Sequence, residues 1–160
     1  EHLVRRADAS YPLDGNLPST ATPQERLWTF IHNFVRRALD PAEVGNLHCI
    51  LMAERFAPTG LLDDLLARWF ASNRSQLLPI LQELLGSGAS ERDVAWTEMC
   101  TVGQMIGLHE AGDAGPRHLF GIDESDTRQL TDHIYNFSMG GIDAIRGRLN
   151  KIPELSRTEK

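Results

Sequence analysis

The sequence predicts an all-α protein, a helical bundle of about six helices. Apolar residues recur at helical spacing along most of the 160 residues, and no long stretch shows the alternation and β-branched enrichment of a strand. Stretches rich in Pro, Gly and Ser separate the helical segments, and several segments open with a capping pattern. With 41% hydrophobic residues, the chain is large enough to bury one core.

The N-terminal part predicts the end of a helix, a loop and a capped helix. Residues 1–9 have a helical pattern, and residues 10–21 form a loop rich in Pro, Gly and Ser. Thr22 can cap the helix that follows, Pro23 fits its first position, and Glu25 can complete a capping box. We expect this helix to continue until Asp-Pro breaks it at residues 40 and 41.

Two helices follow in the middle of the chain. A short one is expected over residues 43–56, and a long one over residues 61–85, where leucines and Trp69 recur at helical period. Pro79 lies inside the long helix and lacks a backbone N–H. We therefore expect a kink or a break near residues 75–76.

The last two helical segments, residues 90–110 and 125–149, are separated by a loop over residues 112–123. Ser90 and Asp93 form a second capping pattern at the start of the first segment. That segment is apolar or small on nearly all sides, which is typical of a helix that is buried all round. One small subunit can hardly cover such a helix, so we expect one side to face its own core and the other a second subunit.

Glycines inside these segments support the same expectation. Gly103 and Gly107 lie in the first segment, and Gly140 and Gly141 in the second. Each interior glycine costs about 1 kcal/mol relative to alanine, a cost that a close approach to another helix can offset. We expect a C₂ homodimer with two helices from each subunit. The candidate interface residues are Gly103, Ile106, Gly107, Ile134, Phe137, Gly141, Ile142 and Ile145.

Composition argues against several classes of protein. No apolar run reaches the roughly 18 residues of a membrane span, and no signal-peptide pattern opens the chain. The two cysteines, Cys49 and Cys100, are too few for a disulfide framework and fit a reducing cytosol, so we expect a cytoplasmic protein without membrane partners. Arginine pairs such as Arg36 and Arg37 are interpreted as solvated helix ends. Because the first residue is Glu1, we expect the chain to begin inside a longer protein or after processing.

No enzyme motif is present. The sequence has no HExxH, no Glu-x-x-His, no cysteine pair with zinc spacing, no GxSxG, no P-loop and no GxGxxG. We therefore expect no enzymatic activity, no cofactor and no metal. An unfamiliar active site in a helical bundle stays open as an alternative.

Some polar residues lie within apolar helical stretches and are accompanied by aromatic residues and methionines. A mostly apolar pocket with a few polar groups is how small-molecule sites are built, although the same pattern also occurs in ordinary cores. The candidate ligand-binding residues are Trp28, His32, His48, Met52, Trp69, Trp96, Met99 and Gln104.

Three segments, in this order, carry a resemblance to a known family. They are TPQERLWTFIHNFVRRALDP (22–41), NLHCILMAERFAPTGLLDDLLARWFASNRSQLLPILQELLG (46–86) and LTDHIYNFSMGGIDAIR (130–146). Together they resemble the C-terminal regulatory domain of TetR-type (tetracycline-repressor-like) transcriptional regulators.

The resemblance implies a division of the chain and a function. Residues 1–9 would end the helix that connects to an N-terminal helix-turn-helix domain, which is missing here. Residues 10–150 would form the ligand-binding and dimerisation domain, and residues 151–160 a polar tail. The parent protein would be a homodimeric repressor that contacts operator DNA only through the missing domain and is released by a small effector, here an apolar or aromatic one.

Two other functions stay open beside this one: a helical protein-interaction or scaffold module without a small ligand, and an enzyme with an unrecognised helical site. A cavity of about 300 Å³ or more beneath Met52, Trp69 and Trp96 would favour the sensor over the scaffold. Converging titratable groups with strongly perturbed pKa values would favour the enzyme.

We expect this chain to bind generic duplex DNA poorly at physiological salt. Its net charge is −6 and its 16 basic residues are scattered, whereas a surface that grips the DNA backbone needs a concentrated positive face. Fluorescence anisotropy with a labelled duplex measures this affinity. Tight binding that weakens steeply with salt would contradict the expectation.

Overall fold

The computed structural model describes residues 2–41, 43–109 and 116–155, and all regular secondary structure in these ranges is helical. The elements are α1 (His2–Ser10), α2 (Pro23–Leu39), α3 (Glu43–Phe56), α4 (Asp63–Leu85), α5 (Glu91–Ile106), α6 (Pro116–Leu119) and α7 (Thr127–Leu155), with 3₁₀ turns at Gly107–His109 and Glu124–Asp126. The all-α prediction is confirmed. Six of these helices are long, and α6 has only 4 residues. No described helix is long and apolar enough to cross a membrane.

Helix α2 lies at the centre of the bundle. It packs against α7, α4 and α3, and most of its circumference is buried. The core around it is built from aliphatic and aromatic side chains: Leu27, Phe30, Ile31, Phe34, Val35, Leu51, Met52, Leu77, Leu81, Leu84 and Met105. The other helices are arranged around α2 because its apolar residues have to be covered on several sides.

The two capping patterns form as the sequence predicts. The backbone N–H of Glu25 donates to Thr22 Oγ1 at 3.2 Å, and that of Asp93 donates to Ser90 Oγ at 3.2 Å. Each acidic side chain accepts in return from the backbone N–H of its cap. The starts of α2 and α5 are therefore determined by local sequence.

Several helices differ from the prediction, either in where they end or in whether they are continuous. Helix α4 continues without a break through Pro79. Because Pro79 is exposed, water can reach the backbone carbonyl that its missing N–H leaves without a partner. Helix α5 stops at Ile106, and Gly107 is its C-cap rather than an interior glycine. Helix α6 lies in a segment expected to be a loop, and α7 extends past residue 149 to Leu155.

The interpretation of Arg36 and Arg37 as a solvated helix end is wrong for Arg37. Arg37 is only 2% exposed, and its Nε and Nη2 donate to the carbonyl of Tyr11 at 2.9 and 2.6 Å. Its Nη2 also donates to Asp8 Oδ1 at 2.9 Å. Arg36 is exposed, with its guanidinium 4.6 Å from the centroid of the Tyr11 ring. The spacing of the pair places one arginine inward and the other outward, and the inward one joins α1 and the following loop to α2.

Polar contacts also fasten α2 to α7. Trp28 Nε1 donates to Asp132 Oδ1 at 2.7 Å, and the Trp28 ring stacks on His32 with centroids 4.6 Å apart. His32 Nδ1 lies 3.3 Å from Thr131 Oγ1. The Thr131 hydroxyl already donates to the carbonyl of Thr127 at 2.6 Å, so His32 Nδ1 must carry the proton in this contact.

We predict that Arg37→Ala lowers the free energy of unfolding by about 2–4 kcal/mol, because it leaves the Tyr11 carbonyl unpaired and opens space in the core. Arg36→Ala, on the same helix, is the matched control and should cost less than about 1 kcal/mol. Urea unfolding followed by circular dichroism measures both. Equal losses for the two variants would contradict the structural role of Arg37.

A second prediction concerns pH. Partial burial lowers the pKa of His32, as do Arg36 and Arg128, while Asp132 opposes them. The unfolded chain therefore binds a proton at this residue more readily than the folded one. The contribution of His32 to the free energy of unfolding should therefore fall as the pH drops below the ordinary histidine pKa of about 6.5.

The variant His32→Gln should lose this part of the pH dependence between about pH 7 and pH 5. The exposed His133, on α7, provides the control, since His133→Gln should keep the wild-type profile. Melting temperatures across the pH range test the pair. A His32→Gln variant with the wild-type slope would rule out His32 as the source.

Candidate dimerisation face and ligand cavities

Helices α5 and α7 together present an apolar surface that the other described residues leave uncovered. Trp96 is 56% exposed, Met99 65% and Phe137 69%. We call this surface the α5/α7 face and define it by the exposed residues Trp96, Met99, Cys100, Gly103, Phe137, Gly140 and Gly141. A large exposed apolar surface of this kind is typical of a protein interaction site.

The glycines of this face do not serve packing inside the subunit. A Cβ atom placed on Gly103, Gly140 or Gly141 would have no heavy atom within 4 Å outside its immediate neighbourhood in the helix. At Gly45, in contrast, packing excludes a side chain, because a Cβ atom there would lie 2.0 Å from the carbonyl oxygen of Asp40. Among the described residues, therefore, no other helix comes close enough to these glycines to offset the helix stability that they cost.

Between α5 and α7 the face is indented by a groove of about 350 Å³. Trp96, Phe137 and Gly141 border it, and Ile142 contributes to its floor. Gln104 Nε2 donates to Ser138 Oγ at 3.1 Å across the groove. At one end, Arg148 Nη2 donates to Asp93 Oδ1 at 2.9 Å. These two contacts fix the spacing of the helices, so the groove is held open by polar bridges.

The predicted interface residues divide between this face and the core. Gly103, Phe137 and Gly141 lie on the face, and Ile106 and Ile145 are half-buried beside the core. Ile134 and Ile142, only 4% and 1% exposed, pack inside the subunit, and Gly107 caps α5. The difference arises from the rotation of α7. Its buried row is Ile134, Ser138 and Ile142, and this row leaves Phe137 and Gly141 on the outer side.

The predicted ligand-binding residues occupy different surroundings. Met52 and Trp69 are buried in the core, whereas Trp28 and His32 belong to the α2–α7 contact. Trp96 and Met99 lie on the α5/α7 face, and Gln104 spans its groove. The side chain of His48 falls outside what the structure describes. Of these residues, only Trp69 borders the two cavities described next.

The first of these, the inner cavity, lies between α2, α4 and α5 and has a volume of about 300 Å³. Its walls are largely aromatic or aliphatic: Phe30, Phe34, Trp69, Phe70, Leu77 and Val102. Arg74 and Glu98 also line it, and Arg74 Nε donates to Glu98 Oε2 at 3.0 Å. An apolar space with a few polar groups at its border suits a small apolar molecule.

The second, the outer cavity, lies between α1 and α4 and has a volume of about 420 Å³. It shares Trp69 and Asn73 with the inner cavity. Asn73, one of the shared residues, is buried. Sequence reasoning missed Asn73, although its spacing of four from Trp69 and from Leu77 places it on the same side of α4 as two apolar wall residues.

Two carboxylates with lowered pKa values lie at helix starts. The backbone N–H and hydroxyl of Thr22 lower the pKa of Glu25, and the hydroxyl and backbone N–H of Ser90 lower the pKa of Asp93. These carboxylates lie at the starts of different helices, where capping explains their shifts. Among the described residues, no group of His, Cys, Asp and Glu is arranged to hold a metal ion.

Comparison with known protein families identifies most of the chain. The family model described as "HTH-type transcriptional dual regulator CecR, C-terminal domain" matches residues 23–142, from the first residue of α2 well into α7. No curated protein and no solved structure matches the chain. The matched range contains most of the chain, including the helices that form both the inner cavity and the α5/α7 face. The chain therefore belongs to this family of C-terminal domains of helix-turn-helix-type transcriptional regulators.

Proposed function

We propose that this chain is the dimerising, effector-sensing domain of a TetR-type transcriptional repressor. The observation that carries the proposal is the α5/α7 face, an apolar surface with glycines that none of the described residues outside their own helix turn approaches. Operator DNA would be bound by a helix-turn-helix domain that this chain does not contain. Such a regulator acts in the cytoplasm, where its operator is found, and needs neither a cofactor nor enzymatic activity.

A second copy of the chain is the partner that fits the α5/α7 face best. Both helices expose small residues beside large apolar ones, so a Trp96 or Phe137 side chain of one copy can enter the space above a glycine of the other. A two-fold axis would place the same face on both sides, with a four-helix interface. We include Gly103, Phe137 and Gly141 in this interface, with Trp96 and Met99, and leave out Ile134 and Ile142.

We propose that the effector binds beside Trp69, in the inner and outer cavities. The aromatic wall of the inner cavity offers a large apolar contact area, and the Asn73 amide offers a donor and an acceptor. Two largely apolar cavities of about 300 and 420 Å³ that share Trp69 are of the size that small molecules occupy. This favours the sensor over the scaffold alternative.

The mechanism would be a shift between two dimer geometries. An effector that binds one geometry more tightly increases its population, by no more than the difference in its affinities for the two. Operator binding depends on the separation of the two recognition helices, which has to match the spacing of the half-sites. Helix α1, as the end of the connection to the DNA-binding domain, would carry the change.

We predict that the wild-type chain is a dimer at about tens of micromolar and that Gly141→Leu weakens the dimer at least about tenfold, because one substitution introduces two clashes. Gly147→Leu is the control. Gly147 is also exposed on α7 with nothing near its Cβ position, but it is not among the residues that line the groove. Both changes raise helix propensity, so the fold should survive in each.

Sedimentation equilibrium distinguishes the outcomes. Loss of dimer in Gly141→Leu together with an unchanged Gly147→Leu supports the proposed interface. A wild-type chain that stays monomeric, or a Gly141→Leu variant that dimerises with wild-type affinity, would contradict the proposed interface.

A further inference from the structure

Among the described residues that line the inner cavity, two are charged, and these two pair with each other. Arg74 Nε donates to Glu98 Oε2 at 3.0 Å, and both side chains border the cavity. The Arg74 side chain is 58% exposed and the Glu98 side chain only 17%. The guanidinium therefore lies largely in solvent, whereas the carboxylate is held on the protein side of the pair.

This pairing opposes a charged ligand of either sign. An anion that reaches Arg74 comes close to Glu98, and a cation that reaches Glu98 comes close to Arg74. A cation also gains from aromatic faces, but the Phe70 ring already has the guanidinium of Arg55 at 4.9 Å from its centroid. Arg55 itself is exposed, so water screens the attraction that it would offer to an anion. The described lining therefore favours an uncharged ligand.

The ion pair has hydrogen-bonding groups beyond its own contact. Because that contact joins Arg74 Nε to Glu98 Oε2, Glu98 Oε1 can accept from a further donor, and the Nη groups of Arg74 can donate to a further acceptor. A hydroxyl or a carboxamide can fill both roles at once, since each donates and accepts. Hydrogen bonds to an ionised partner are stronger than those between neutral groups. A ligand with such a group would extend the ion pair without breaking it.

Building on the proposed function, we propose that the effector is an uncharged aromatic molecule that carries a hydroxyl or carboxamide group. Its rings pack against the aromatic wall, where the Phe34 centroid lies 6.2 Å from that of Phe30 and 6.1 Å from that of Trp69. Its polar group donates to Glu98 and accepts from Arg74. The wall then sets the size of the ligand, and the ion pair determines its specificity.

Four probes with the same naphthalene rings test this proposal. Naphthalene has no polar group, 2-naphthol has a hydroxyl, 2-naphthoate is an anion and (2-naphthylmethyl)ammonium is a cation. Their affinities are measured by displacement of the neutral fluorescent dye N-phenyl-1-naphthylamine. A purely apolar cavity would favour naphthalene, because water solvates the hydroxyl. We expect the chain instead to bind 2-naphthol at least about threefold more tightly than naphthalene and about tenfold more tightly than either ion.

Two variants should change the response to the ions in opposite directions. Glu98→Gln removes the carboxylate and should bind 2-naphthoate roughly three- to fivefold more tightly than wild type does. Arg74→Gln should do the same for the ammonium probe. Both should reduce the advantage of 2-naphthol over naphthalene, whereas a loss of structure would weaken every probe. Arg146→Gln, which removes an exposed ion pair of α7 away from this cavity, is the control and should change none of the four affinities.

Further variants locate the binding and protect the test against misfolding. Val102→Phe, and separately Ala71→Phe, should narrow the inner cavity and weaken all four probes, which would separate this site from the α5/α7 face. If a Gln variant unfolds, the order of the four affinities in the wild-type chain still decides.

The failures are distinguishable. If the wild-type chain binds naphthalene or either ion as tightly as 2-naphthol, or if both Gln variants keep the wild-type order, recognition by the ion pair is overturned and the effector cavity of the proposed function is left in place. If neither the dye nor any probe binds, or if both cavity-filling variants bind naphthalene like wild type, the effector cavity itself is refuted, and recognition by the ion pair with it.

Discussion

The architecture depends on the burial of α2, and this burial requires partners for the polar groups that the helix carries inward. Asn33 and Arg37 lie on buried positions of α2, where an unpaired amide or guanidinium would be costly. Asn33 Nδ2 donates to the carbonyl of Pro12 at 2.7 Å, and Arg37 donates to that of Tyr11. The loop after α1 is therefore held against α2 by its own carbonyl groups, and α1 is positioned with it.

The same contact reaches the outer cavity. Because Arg37 donates to Asp8, a residue that lines this cavity, the buried arginine also acts on the space between α1 and α4. Removing it would change both the position of α1 and the electrostatics of the space between α1 and α4.

Features encoded locally could be predicted from the sequence, and features set by packing could not. The caps at Thr22 and Ser90 were predictable because a few neighbouring residues form them. The rotation of α7 was not, since apolar residues such as Ile134 and Phe137 look alike in sequence and only the partner helices decide which faces inward. Aromatic residues raised the same difficulty at the candidate site, where Trp69 borders the cavities and Trp96 lies on the exposed face.

Helix α5 links the two candidate sites because two neighbouring sides of this helix take part in them. Glu98 and Val102 line the inner cavity, whereas Met99 and Gly103, the next residues along the helix, lie on the α5/α7 face. The helix is continuous over this region and capped at its start. A proposed ligand that displaces Val102 or alters the contact of Glu98 with Arg74 would act on residues whose immediate neighbours, Met99 and Gly103, lie on the proposed dimer interface. The two proposed sites would then be coupled across a single helix, without a long pathway.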